Sequence, residues 1–203
     1  MRKIIQVLVL CIGLFCSSKS KAQQDVVSSN IYIQTCIDKT QCSSINSAGY
    51  LFYDESKQHI YLKVDFNKFK TGEDSVDYWL KDLTETYLMV KGPLASESFL
   101  GLSNNNHKTH RLAAQVFING IWQTQNIDVT IFSAENSILA HNAFGTNYNK
   151  YKLNFSINIV PKDFKIHKKS QHLKKTIFLG VALGRVNLLT PSLQSQLGEA
   201  YSH

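Results

Sequence analysis

The chain has 203 residues, 43% of them hydrophobic, and a formal charge of +7 from 22 Lys and Arg against 15 Asp and Glu. Arg2, Lys3, Lys19 and Lys21 all fall in the first 22 residues, and without them the other 181 carry only +3. That balance is no argument for nucleic acid, and the length suits one domain with a sizeable core.

The first element reads as an export signal. Arg2 and Lys3 precede an apolar run from Ile4 to Phe15, and Ser20-Lys21-Ala22 ends on a small residue before Gln23. This is the pattern of a secretory signal peptide over 1–22, leaving a mature domain over 23–203 that is periplasmic or secreted. The run of about 12 residues is shorter than the roughly 20 that span a bilayer as a helix, which disfavours a retained anchor. Cys16 follows Leu14 and Phe15, where lipoprotein processing would want small residues.

Cleavage removes Cys11 and Cys16 and leaves Cys36 and Cys42, in CIDKTQC. In an oxidising compartment so close a pair reads as a disulfide around a small loop, with two free thiols as the alternative. The C-x5-C spacing matches neither a C-x-x-C redox pair nor a zinc knuckle.

The remainder is β-rich. GYLFYDESKQHIYLKVDF (49–66) holds two strand-like runs around a polar turn, and Leu62, Val64 and Phe66 alternate with Lys63, Asp65 and Asn67. DSVDYWLKDL (74–83) breaks the period: Val76, Trp79, Leu80 and Leu83 recur at helical spacing, with Asp74 or Ser75 available as N-cap. FINGIWQTQNIDVTIF (117–132) carries Asn119-Gly120 between alternating runs, the strongest short-range signal for a tight hairpin. YKLNFSINIV (151–160) puts Leu153, Phe155, Ile157 and Ile159 on one face and polar residues on the other, while TIFLGVAL (176–183) is apolar on both, with a possible bulge at Gly180. Seven or eight strands and one short helix make a barrel or a sandwich, and the strictly two-faced strands favour a closed barrel.

Chemistry-bearing clusters are sparse. There is no G-x-S-x-G and no catalytic-looking cysteine, and Asp74, Asp77 and Asp82 read as helix caps and solvating charges. His107 and His110 in NNNHKTHRL are the best metal candidates, yet no further ligand stands nearby and the default is a pair of solvated loop histidines. The Lys-rich stretch KIHKKSQHLKK (165–175) reads as a solvated loop, or as a rim for an anionic headgroup or membrane surface. No cofactor is implied.

Three stretches in order resemble the YceI-like family of exported bacterial proteins. VDFNKFKTGEDSVDYWLKDL (64–83) is similar to the family's strand, Thr-Gly and helix, at Asp65, Thr71, Gly72, Asp77 and Leu80. The hairpin resembles a second motif at Val116, Ile118, Gly120, Ile121, Ile127, Asp128 and Val129. INIVPKDFKI (157–166) resembles a third at Ile159, Asp163, Phe164 and Ile166. The matched spacing covers roughly 49–183 and leaves a tail, 184–203. Departures include Val160-Pro161 for Asn-Arg, Lys165 for a usual Gly, Val76 and Trp79 for Arg and His, and Gln123-Thr124 for Lys-Pro.

The resemblance implies an all-β, antiparallel lipocalin-like β-barrel of about eight strands with one short helix. Its elongated cavity would hold a long isoprenoid chain, such as a polyprenyl phosphate or quinone, with no catalytic residues. On this reading Leu62, Val64, Phe66, Ile118, Ile121, Ile127, Val129, Leu153, Phe155, Ile157 and Ile159 line the ligand. The alternative is a structural or protein-interaction barrel with a packed core, acting through its surface and tail.

Overall fold

The computed structural model describes residues 28–37, 41–68, 74–102, 106–133, 141–142, 145–166, 177–197 and 201. The expected signal peptide lies outside the described residues. The strands are β1 (Ser28–Ile37), β2 (Gln41–Asp54), β3 (His59–Asp65), β4 (Tyr87–Pro93), β5 (His107–Ile118), β6 (Ile121–Ser133), β7 (His141–Asn142), β8 (Gly145–Thr146), β9 (Tyr151–Ile159), β10 (Ile177–Arg185) and β11 (Asn187–Leu188). Antiparallel pairing runs β1-β2-β3-β4-β5-β6-β9-β10 and returns to β1, which closes an eight-stranded barrel. β7 and β8 pair only with each other, and β11 adds parallel to β2 beside Phe52 and Tyr53.

Closure follows from the two-faced strands, because rolling the sheet up buries one face of every strand at once and removes exposed edges. Burial alternates strictly along β9, with Tyr151, Leu153, Phe155, Ile157 and Ile159 inward. The hairpin forms as its sequence demands. Asn119 (φ 52°) and Gly120 (φ 77°) both take positive φ, the signature of a two-residue primed turn, and Ile118 faces Ile121 across it. The Gly120 N–H also donates to Glu85 Oε2 at 2.9 Å, tying the turn to the segment before β4.

One helix interrupts the strands, α1 (Asp74–Lys81), slightly shorter than the 74–83 expected. Asp74 and Asp77 in its first turn and Lys81 in its last suit the helix dipole. Leu80 is buried, and Leu83 packs on the interior from beyond the helix end; the side chains of Val76 and Trp79 lie outside those described. Phe66 is buried as expected, but it opens a 3-10 turn (Phe66–Lys68) and does not extend β3. The irregularity anticipated at Gly180 falls instead between Val181 and Gly184, and Gly180 pairs regularly with Ser156 and Tyr32.

Lys165, where the resembled family has Gly, sits in the left-handed region (φ 53°, ψ 31°) and ends the 3-10 turn Pro161–Phe164. A Cβ is disfavoured there. Lys165→Gly should therefore raise stability by about 0.5–1 kcal/mol, read as a higher urea midpoint at unchanged slope.

The tail is a strap on the outside of the barrel. Leu189, Leu193 and Leu197 pack with outward-facing Phe52, Tyr61, Met89 and Phe117 in a second buried cluster, separate from the interior one. The Leu189 N–H donates to Tyr53 O at 2.7 Å, and the Tyr201 hydroxyl donates to Asp54 Oδ2 at 2.7 Å. Among the described residues no helix is long and apolar enough to cross a membrane.

Candidate functional site: the barrel interior

The inward faces merge into one apolar cluster running through the barrel. Leu62, Val64, Phe66, Ile118, Ile127, Val129, Leu153, Phe155, Ile157 and Ile159 belong to it, and Ile121 packs against it partly buried. All eleven residues singled out in the sequence therefore converge on one interior. Sequence reading missed most of β4 and the small residues beside it. Leu88 and Val90 face inward, and a Cβ on Gly92 would stand 3.6 Å from Ala114. The alternation in YLMVKGP was the available signal, masked by the Gly-Pro that ends it.

At the hairpin end, Gln123 and Gln125 interrupt the apolar face, as at an opening. The structure instead engages both. The β6–β9 ladder stops at Thr130, after four register pairs. Beyond it the Gln125 amide donates to Asn158 O at 3.3 Å and accepts from Asn158 N at 3.2 Å, replacing a missing rung. Gln123 Nε2 donates to Asp163 O at 3.0 Å. Past Thr130 this seam is held by glutamine side chains in place of backbone rungs.

The opposite end is aromatic. Tyr53 lies 4.9 Å from Phe99 and 4.6 Å from Tyr148, and Phe99 lies 5.1 Å from Tyr151 in an edge contact. The Tyr53 hydroxyl donates to Leu94 O at 3.0 Å, and that of Tyr148 to Glu55 Oε1 at 3.0 Å. Burial, followed by the nearby charges of Glu55, Glu97 and Asp54, pushes the Tyr53 phenol up to about 12.

Tyr151 is different. Its ring is fully buried, burial pushes its phenol up, and its hydroxyl has no hydrogen-bond partner among the described residues. Asn149 Oδ1 and His110 Nε2 are likewise buried without partners among the described residues. An unsatisfied hydroxyl costs the desolvation it never recovers. In lipid-free protein Tyr151→Phe should therefore stabilise the fold by about 1 kcal/mol, seen as a higher denaturation midpoint; a loss would show that the hydroxyl has a partner.

His107 and His110 are strand residues, correcting the expected loop. Three positions apart on β5, they point to opposite faces, so they cannot converge on one ion. His107 lies 5.5 Å from Phe132 on the outer face. Among the described residues no group of three or more His, Cys, Asp or Glu is placed to hold a metal. Of the Lys-rich stretch, 167–175 lies outside the described residues. Cys36 and Cys42 are directly opposed register partners of β1 and β2, and their side chains lie outside those described.

A closed antiparallel barrel of eight strands with an apolar interior and one short helix is a lipocalin-like architecture. Comparison with solved structures finds similar chains. A polyisoprenoid binding domain from Saccharophagus degradans superposes with a TM-score of 0.52 at 11% identity, over 77% of this chain and 96% of that one. BcnA from Burkholderia cenocepacia gives 0.47 at 11% identity, over 77% and 97%, and the YCEI protein of Campylobacter jejuni gives 0.41 at 16%, over 82% and 95%. No protein-family model matches the chain, and no curated protein does. The fold is the lipocalin-like barrel that the sequence motifs led one to expect, and it is shared with that polyisoprenoid binding domain.

Proposed function

We propose that the protein is an exported, non-catalytic binder of a long isoprenoid-like lipid, such as a polyprenyl phosphate or quinone, held along the barrel axis. One observation carries this reading: an apolar cluster on the inside of a closed barrel, to which β2, β3, β4, β5, β6, β9 and β10 all contribute described side chains. The polyisoprenoid-binding domain that shares the fold supports it. Burying such a chain contributes roughly 0.8 kcal/mol per methylene, so tight retention needs no covalent bond. Mass spectrometry of organic extracts from protein purified out of its native envelope should find a long prenyl chain at near-stoichiometric yield. Extracts that hold no lipid reject the proposal.

A specific observation favours the rival packed-core barrel. The described buried side chains of the interior cluster are between 0% and 6% exposed, so they pack on one another. The lipid-binding reading therefore requires the wall to widen on loading, and the β6–β9 seam, with four register pairs extended only by glutamine side chains, is a section with few backbone rungs to break. Contact between the Lys-rich stretch 165–175 and an anionic membrane would bring the barrel to its ligand.

Export also implies that Cys36 and Cys42 are oxidised. Directly opposed residues of an antiparallel ladder have Cα atoms about 4.5–5.5 Å apart, within the span a disulfide bridges. Periplasmic protein should be lighter than the reduced chain by two hydrogens. Replacing both cysteines by Ser should cost about 2 kcal/mol, the loop-closure value for so short a ring.

A further inference from the structure

Phe99 is the central ring of the aromatic end. It is fully buried, and three tyrosines meet it in edge contacts, Tyr53 at 4.9 Å and Tyr148 and Tyr151 at 5.1 Å between centroids. Yet Phe99 is not part of the wall. It ends the 3-10 turn Ser96–Phe99, in the run 94–102 that leaves β4 after Pro93 and belongs to no strand. Side chains and one backbone bond tie that run to the barrel. The Leu94 N–H donates to Gln58 O at 2.8 Å, Leu94 O accepts from the Tyr53 hydroxyl, and Leu100 O accepts from the Lys108 ammonium.

The three tyrosine hydroxyls around this ring are not equivalent. Those of Tyr53 and Tyr148 are used on Leu94 O and Glu55 Oε1, whereas that of Tyr151, inward on β9, bonds nothing among the described residues. The other two buried side-chain atoms in that condition fall at the same end. Asn149 lies in the turn that leads into β9, and His110 lies near the start of β5, which begins at the end where β9 begins. At the hairpin end both glutamines are engaged. Unmet hydrogen-bonding capacity gathered at one end of an apolar interior fits a ligand that is oily along its length and polar at one tip. The carboxylates of Glu55, Glu97 and Asp54 are the charges that act on Tyr53, so an anionic tip would be repelled there.

We propose that the slot filled by Phe99 is the head site for the ligand, taken on loading by a flat uncharged ring whose carbonyl oxygen accepts from the Tyr151 hydroxyl. The inference rests on the lipid reading and narrows it, to a quinone-like head over a phosphate. One ring in place of another keeps the edge contacts with the tyrosines. Phe99 can yield the slot without breaking a strand ladder, since its run makes none. The carbonyl gives the Tyr151 hydroxyl the partner it lacks, which makes Tyr151 the residue that selects the head.

Phe99→Ala tests the slot with three probes of one shape, acetophenone, α-methylstyrene and benzoate, because an apolar cavity left by a deleted ring takes up a free aromatic. Titration of the full chain followed by NMR should give acetophenone a Kd on the order of 0.1–1 mM. It should bind at least as tightly as α-methylstyrene, although water solvates it better, and benzoate should bind at least tenfold more weakly. Adding Tyr151→Phe should weaken acetophenone by about tenfold, the worth of one buried hydrogen bond, and leave α-methylstyrene within about twofold. Benzoate equal to acetophenone, an acetophenone affinity indifferent to Tyr151→Phe, or no binding of any probe would overturn the proposal.

Should Phe99→Ala fold poorly, the unsubstituted slot decides. Menaquinone-4 and geranylgeranyl phosphate carry the same four-unit prenyl chain. Tyr151→Phe alone should weaken the first by about tenfold and leave the second unchanged, and an equal effect on both, or none, would reject the head site. The two readings fail separately: envelope-purified protein that yields no lipid rejects the lipid reading, whereas a prenyl lipid bound with no dependence on Tyr151 rejects only the slot.

Discussion

Leu197→Ala should destabilise the protein by about 3 kcal/mol, within the range for emptying a fully buried leucine site. That corresponds to a drop of about 6–12 °C in Tm for a domain of this size, measurable by calorimetry or circular dichroism. Leu197 is fully buried even though it lies outside the barrel wall, because the strap presses it onto Phe52 and Tyr61. Without that contact the two aromatic rings would face water on the outer sheet surface, so a change in the tail should be felt in the barrel. A loss below about 1 kcal/mol, the usual level for surface positions, would mean that the strap is not docked.

The strap also carries a pH signature. Burial pushes Asp54 up, but hydrogen bonds from Ser56, Tyr201 and the Lys57 N–H outweigh it, and the carboxyl ends below its ordinary range. A depressed acid contributes stability above its unfolded pKa, near 3.9, and loses it as pH falls through the lower folded value. Tyr201 behaves in the opposite sense. Burial and the bond to Asp54 push it up to about 12, so its contribution is complete below about pH 10 and is lost as pH rises through 12. Tyr201→Phe should flatten both limbs of the stability–pH curve.

Stripping bound lipid should lower Tm by about 5–10 °C, and adding back a long prenol should restore it. A ligand at a hundred times its Kd stabilises the folded state by about 2.7 kcal/mol, and each kcal/mol shifts Tm by roughly 2–4 °C at this size. The interior explains why the effect should be large. Its described side chains pack on one another, so a lipid must displace those contacts and replace them with more extensive ones. Hydrogen exchange should report the same event at the seam, where Gln125 substitutes for a rung between β6 and β9. A packed barrel with no ligand would give equal Tm values before and after extraction.

Particular residues show how much was legible in advance. Leu153, Phe155, Ile157 and Ile159 declare their shared face by alternation alone, and Asn119-Gly120 declares its turn by two residues that tolerate positive φ. His107 and His110 show the opposite case. Their spacing admits one side if the segment is a loop and two sides if it is a strand, and only the pairing of β5 with β6 decides. The bridge between Gln125 and Asn158 was equally invisible, since the two residues lie on different strands and become neighbours only through the packing of β6 beside β9.

The sequence by itself determined which faces are oily, where the hairpin turns and that one short helix breaks the strands, because periodicity and φ preference act over a few residues. The tertiary structure alone decided that the strands close into a ring, that β6 and β9 meet over a short seam bridged by glutamine, and that the tail docks on the outer wall. Those outcomes depend on packing between residues distant in the chain, and local preference carries no information about which partner a buried face will meet.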